Sequence, residues 1–209
     1  MTSSSLSFVH RFEPGASSRT PLLLLHGTGG SEDDLLPLGH RIAPGAALLS
    51  PRGQVDEHGM LRFFRRLAEG VFDEDDVRRR AEDLVRFVGE ARAAYALEAP
   101  IAVGFSNGAN IAAALLLMRP DVLSGAILFR AMTPFRQPPD VRLGGKPILM
   151  LSGRADPIVP EDDASNLAQV FARAGADVEH RVVPGGHGLS AADVALAEGW
   201  LSHHAAPSG

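Results

Sequence analysis

Three residues in this chain have the types, order and surroundings for nucleophilic acyl transfer: Ser106, Asp156 and His187. Ser106 is the centre of Gly104-Phe105-Ser106-Asn107-Gly108, a G-x-S-x-G pentapeptide. A serine hydroxyl is a poor nucleophile at neutral pH. It needs an imidazole to take its proton and a carboxylate to fix the tautomer of that imidazole and stabilise its cation. Asp156 follows in Ser152-Gly153-Arg154-Ala155-Asp156-Pro157, and His187 in Pro184-Gly185-Gly186-His187-Gly188. Attack on a carbonyl creates an oxyanion, which backbone N–H groups beside the nucleophile and after an early strand can stabilise. Asn107 supplies the first. His26-Gly27-Thr28-Gly29-Gly30 supplies the second, with Thr28 the choice and Gly29 the alternative.

Each residue also has an ordinary reading. An Asp before Pro commonly closes an Asx turn, and a histidine among glycines can simply be a loop residue. What separates the chemical reading from these is the order Ser, Asp, His, each at the end of an apolar run. The other histidines fit less well. His26 reads as structural. His10, His40 and His58 precede the nucleophile, His180 falls within a strand, and His203-His204 falls in a tail. No His/Asp/Glu group has metal-ligand spacing, so no metal and no cofactor is expected.

Those residues require strands that end where they begin. Apolar runs predict strands at Leu22–Leu25, Ala46–Ser50, Ile101–Phe105, Gly125–Phe129, Pro147–Leu151 and Val178–Val183, with an antiparallel edge strand near Ser7–Phe12. Helices are expected at Asp33–Ile42, Glu74–Ala96, Asn107–Arg119, Glu161–Ala174 and Ala191–Ser202. The second carries a stripe of Val77, Leu84, Val85 and Val88, and Ser190-x-x-Asp193 reads as a capping box for the last. The alternation is that of an α/β fold with a mostly parallel sheet. Pro51–Gly70 fits neither period and stands where substrate-facing loops are expected.

Composition narrows the class. With 209 residues and no linker or repeat, one domain over 1–209 is expected. There is no cysteine, which excludes disulfides, thiolate metal sites and a cysteine nucleophile. A net charge of −5 argues against nucleic acid as a partner. No segment has the length and apolarity of a membrane span. Met1-Thr2-Ser3-Ser4-Ser5 lacks the regions of a secretory signal, so a cytoplasmic location is expected. The oligomeric state is left open, with a homodimer allowed.

The motifs His-Gly-Thr-Gly-Gly, Gly-Phe-Ser-Asn-Gly-Ala, Ser-Gly-Arg-Ala-Asp-Pro-Ile-Val-Pro and Gly-Gly-His-Gly together resemble the bacterial carboxylesterase/phospholipase family of α/β-hydrolases, relatives of acyl-protein thioesterases. The resemblance runs from about Leu22 to Trp200. Ser50–Gly53 and Gly59–Arg66 are similar to a small-esterase subgroup associated with quinone and hydroquinone stress. Dienelactone hydrolases share the fold but use a cysteine nucleophile, which disfavours that identity for a chain built around Ser106.

The resemblance implies an α/β-hydrolase fold without a cap domain, because no large insertion separates Phe129 from Pro147. It also implies Ser106 as nucleophile, Asp156 as orienting acid, His187 as base, and Thr28 and Asn107 as oxyanion donors. Met60, Phe63, Phe64, Met132 and Ile158 are the pocket candidates, with Phe135 beside Met132 in the same connection; ordinary core packing is the alternative for Met60, Met132 and the three phenylalanines. The expected activity is hydrolysis of a small-molecule ester of short to medium acyl length. A thioesterase or lysophospholipase, or a ligand-sensing protein with little turnover, are the alternatives.

Overall fold

Four consecutive leucines, Leu22–Leu25, form a strand that is buried on both sides. Because successive side chains in a strand point to opposite faces, Leu22 and Leu24 enter one core and Leu23 and Leu25 the other. The computed structural model describes residues 6–16, 19–68 and 70–204; Met1–Ser5 lie outside them. The strands are β1 (His10–Glu13), β2 (Leu22–Leu25), β3 (Leu48–Pro51), β4 (Val55–Glu57), β5 (Met60–Arg62), β6 (Arg66–Ala68), β7 (Val71–Phe72), β8 (Ile101–Phe105), β9 (Gly125–Phe129), β10 (Pro147–Gly153) and β11 (Asp177–Val183). The helices are α1 (Leu36–Ile42), α2 (Glu74–Tyr95), α3 (Asn107–Met118), α4 (Glu161–Arg173) and α5 (Ala191–His204).

The main sheet has the order β1-β3-β2-β8-β9-β10-β11. β1 pairs antiparallel with β3, and every other neighbour is parallel. Residues of α2, α3 and α4 fill one face, from Val77 and Leu84 through Ile111 and Leu115 to Leu167 and Phe171. Ile42 of α1 and Ala197, Trp200 and Leu201 of α5 fill the other, against Val103, Ile127 and Leu149. Parallel strands covered on both faces read as continuous apolar runs, which is why all five central strands were legible. The Arg130–Lys146 connection holds no helix or strand, so no cap covers the sheet edge there.

Several elements differ from expectation for local reasons. β1 is shifted C-terminally, to His10–Glu13, and β3 runs to Pro51. α1 begins only at Leu36, because Ser31 accepts from the Asp33 N–H and donates to Asp34 Oδ1 at 3.0 Å, turning the chain first. β10 extends to Gly153, held in register opposite Val183 of β11. His203 and His204 form the last turn of α5 rather than a tail, with the His204 ring stacked on Trp200. In α2 the stripe runs through Val77, Ala81, Leu84, Val88 and Ala91, and Val85 lies at its edge. Pro51–Gly70 contains β4, β5 and β6, with β4–β5 forming one hairpin and β6 pairing with β7 in a second.

Among the described glycines, the one with least room for a side chain lies where α3 leaves β8. A Cβ on Gly108 would overlap the Leu25 carbonyl oxygen, and one on Gly104 would lie 2.6 Å from Gly108 O. Gly89, exposed midway along α2, has nothing within 4 Å of the same position. Gly108→Ala is therefore expected to lower Tm by at least about 5 °C or to abolish soluble expression. Gly89→Ala should stabilise by about 1 kcal/mol, the helix cost of glycine. Thermal melts of both variants check this; equal effects at the two sites would refute the packing argument.

Candidate active site

Ser106 occupies the single residue between β8 and α3, with φ 52° and ψ −112°. For a residue with a Cβ this is a strained conformation, costing on the order of 1–3 kcal/mol. It persists because the Ser106 N–H donates to Phe129 O and its carbonyl accepts the Asn110 N–H, both at 2.9 Å. The strain lifts the hydroxyl out of the sheet edge, at the N-terminus of α3.

Asp156 follows β10 and His187 follows β11, so parallel pairing brings both to the same edge as Ser106. The two loops are stitched together: Arg154 N–H donates to Val183 O and Ala155 N–H to Gly185 O. His187 Nδ1 lies 2.9 Å from Asp156 Oδ2, and its Nε2 lies 2.9 Å from Ser106 Oγ. With the proton on Nδ1, the ring donates to the carboxylate and accepts from the serine. The Asp156 side chain is 1% exposed and that of His187 20%. The carboxylate is thus dry while the imidazole meets solvent. Asp156 also performs the Asx role, since its Oδ1 accepts the N–H groups of Ile158 and Val159. The two readings of this residue hold at once, one per oxygen.

The loop after β2 is fixed by His26. Its Nδ1–H donates to Gly27 O at 2.7 Å, and its Nε2 accepts the Gly53 N–H at 2.9 Å. Gly29 N–H donates to Leu61 O of β5, which takes Gly29 out of contention as an oxyanion donor. Among the described residues, the N–H groups of Thr28 and Asn107 have no partner. The Asn107 side chain faces away from this role, accepting the Phe63 N–H at 2.7 Å.

A cleft of about 480 Å³ is lined by Thr28, Glu57, His58, Met60, Arg62 and Arg66, with Leu67 and Ala68. Met60 is 47% exposed at its wall. Met132 and Ile158 line a second depression of about 450 Å³ together with Gly70, Pro157, Pro160 and Asp163. Phe63, Phe64 and Phe135 are corrections to the expected pocket. All three are buried in the core: Phe63 and Phe64 because the β5–β6 connection turns inward, held by the Asn107 carbonyl, and Phe135 because the Arg130–Lys146 connection packs it under the Arg78 guanidinium of α2. Arg62 is buried, and only its Nε finds an acceptor, Phe64 O at 3.2 Å, beside an ion pair with Glu57. Burial, with the nearby Arg66 charge, lowers its pKa from the ordinary value. No group of three His, Asp or Glu side chains suited to a metal ion occurs among the described residues. No described helix is long and apolar enough to cross a membrane.

Sequence reasoning passed over Arg130 and the side chains of Asn107 and Asn110. Asn110 Oδ1 accepts the Met132 N–H at 2.8 Å, so the first turn of α3 ties down loops on both sides of Ser106. Nothing in the sequence separates Arg130, completely buried beneath the His187 loop, from a surface arginine.

A parallel sheet with a strained serine between strand and helix, and with aspartate and histidine on later strand ends, defines an α/β-hydrolase. The Dienelactone hydrolase family model matches residues 52–199, and the chain belongs to that family. The absence of cysteine therefore separates the chain from cysteine-dependent members, not from the family. Over 195 residues the chain is 45% identical to the "Putative hydrolase MhqD" of Bacillus subtilis, covering 91% of this chain and 96% of that protein. The crystal structure of the Bacillus cereus carboxylesterase superposes with a TM-score of 0.93 at 41% identity, covering 95% of each chain. A carboxylesterase from Mesorhizobium loti superposes at 0.90 with 31% identity, over 95% of this chain and 96% of that one. The protein is a hydrolase of the esterase type.

Buried His26 and half-buried His180 both have pKa values lowered from 6.5, with desolvation the largest cause. They stay neutral in the fold while the unfolded chain takes up protons. Their contribution is complete above about pH 6.5 and is lost as pH falls toward the lowered values. Tm is expected to be lower at pH 5.5 than at pH 7.5. A flat or rising Tm across that interval in thermal melts would sink the assignment.

Proposed function

We propose that this protein is a serine carboxylesterase that hydrolyses short to medium acyl esters of small molecules through an acyl-enzyme. The observation that carries the reading is the relay of two 2.9 Å contacts from Ser106 Oγ through His187 to Asp156. His187 takes the Ser106 proton as Oγ attacks the ester carbonyl. The N–H groups of Thr28 and Asn107 hold the oxyanion, and the N-terminus of α3 adds favourable potential there. Collapse of the tetrahedral intermediate breaks the bond to the alcohol, which leaves with the proton from His187. Water, deprotonated by His187, then attacks the acyl-enzyme; the acyl–Oγ bond breaks, His187 returns the proton to Ser106 Oγ, and the carboxylic acid is released. Asp156 stabilises the imidazolium in both halves.

The chemistry uses protein groups alone, so activity should be indifferent to EDTA. The reading places one α/β-hydrolase unit over the chain, working in the cytoplasm on a diffusible substrate. The cleft beside Thr28 brings two guanidinium groups, Arg62 and Arg66, against one carboxylate, Glu57. An ester bearing a carboxylate is favoured there over a neutral ester of equal length.

Ser106→Ala should fold normally and lose roughly 10³-fold or more in kcat, since only oxyanion and binding effects remain. A fluorophosphonate probe should label the wild type at Ser106; labelling at another residue, with activity kept in the variant, would refute the nucleophile. Asp156→Asn should lower kcat severely and spare KM, whereas Asp162→Asn, exposed at the start of α4, should change neither. The reverse pattern would assign the carboxylate elsewhere. A panel of 4-nitrophenyl esters, neutral and carboxylate-bearing, with matching acyl thioesters, reads the substrate preference directly.

A further inference from the structure

Arg130 is the first residue after β9 and is completely buried. Its backbone sits at φ 56°, a left-handed conformation that L side chains rarely adopt. An arginine has five N–H donors in a rigid planar fork, and here all five are engaged. Nε donates to Gly186 O at 3.0 Å. Nη1 donates to Leu151 O at 3.1 Å and to Asp193 Oδ1 at 2.7 Å. Nη2 donates to Gly188 O at 3.0 Å and to Asp193 Oδ2 at 2.8 Å. Gly186 and Gly188 are the two neighbours of His187. The guanidinium therefore grips the backbone carbonyl on each side of the histidine.

The grip has a rigid base. Leu151 belongs to β10, and Asp193 lies in the first turn of α5, where its Oδ2 also accepts from the Ser190 N–H and hydroxyl. Asp193 is as buried as Arg130, and its pKa is lowered by bonds from Arg130 and Ser190 against the penalty of burial. Without this clamp the Pro184–Gly188 loop, rich in glycine, has few other anchors: Gly185 O on Ala155 and the contact of the Phe105 and His187 rings, 5.3 Å apart.

We propose that Arg130 is a positioning residue for His187. By fixing the carbonyls of Gly186 and Gly188, it sets the imidazole where Nδ1 reaches Asp156 and Nε2 reaches Ser106. Asp193 serves the clamp as its counter-charge and as its link to α5. The inference rests on the assignment of His187 as the base, and it adds the group that holds that base in place. A guanidinium is required because its acceptors lie in several directions at once; an ammonium with three donors leaves acceptors unmet.

Variants at Arg130 and Asp193 test this. In Arg130→Lys, kcat should fall about 10- to 100-fold with KM within about 2-fold, the cost of misplacing a catalytic group by about an ångström. The low-field proton NMR signal of the His187–Asp156 bond should broaden or vanish. The double variant Arg130→Met/Asp193→Leu removes both buried charges together. It should regain the Tm lost by Arg130→Met alone but not the kcat. A double variant that regains both Tm and kcat would overturn the proposal, as would Arg130→Lys with unchanged kcat and an unchanged NMR signal. If the double variant does not fold, Arg130→Lys alone decides by the same two readouts. Ser106→Ala separates the two levels. If it stays active, the nucleophile assignment fails; if it is inactive while the Arg130 variants keep full kcat, only the clamp fails.

Discussion

The contact between α3 and the β2 carbonyls governs the whole arrangement. A helix can start one residue after a buried strand only if nothing stands between helix and sheet, and Gly104 and Gly108 leave that space empty. Ser106 bears the cost, with a Cβ at φ 52°. The strain is maintained by cooperativity rather than by any one bond. Phe129 O holds the Ser106 amide, α3 has eleven residues buried between the sheet, α2 and the flanking loops, and the asparagines at 107 and 110 hold those loops. Relaxing Ser106 means moving the central helix, so the reactive geometry is as stable as the core itself.

Around that point the molecule divides its labour between strands and loops. Parallel strands necessarily deliver their C-terminal ends to one edge, so Ser106, Asp156 and His187 converge from segments up to 81 residues apart without long connections. Precision is then added by polar side chains reaching between loops. His26 ties the β2 loop to Gly53, Asp156 closes its own turn with the oxygen that does not face His187, and Arg130 joins β9 to the loop after β11. Each of these groups has its donors and acceptors met, as burial demands.

Such a division also explains what could be read in the sequence. The central strands, the order Ser-Asp-His and the N–H of Asn107 are local patterns, visible in a few adjacent residues. The capping box at Ser190 and Asp193 is equally local, and it forms as expected. The β4–β5 hairpin was not legible. Its strands have three residues each, and its two-residue turn places His58 and Gly59 both at positive φ, where His is an uncommon first residue. Phe63 and Phe64 were misplaced because aromatic residues beside a site look the same whether they face a pocket or a core. The partner that turns them inward, Asn107 Oδ1, lies 44 residues away. Arg130 belongs to the same class. Its partners at 151, 186, 188 and 193 exist only once the sheet is assembled.

The two buried arginines near the site show how one residue type can serve opposite ends. Arg130 has a full set of acceptors and a buried counter-ion, so its charge is spent inside the protein and contributes rigidity. Arg62 is 4% exposed in its side chain, yet only Nε is bonded, its Glu57 partner is at 3.4 Å, and Arg66 stands nearby as a like charge. A buried guanidinium left with unmet donors is costly. That cost lies beside Thr28, at the wall of the cleft. The electrostatic asymmetry thus matches the mechanical one. The clamp under His187 has every donor met, while the arginine at the cleft wall is buried with a donor unmet.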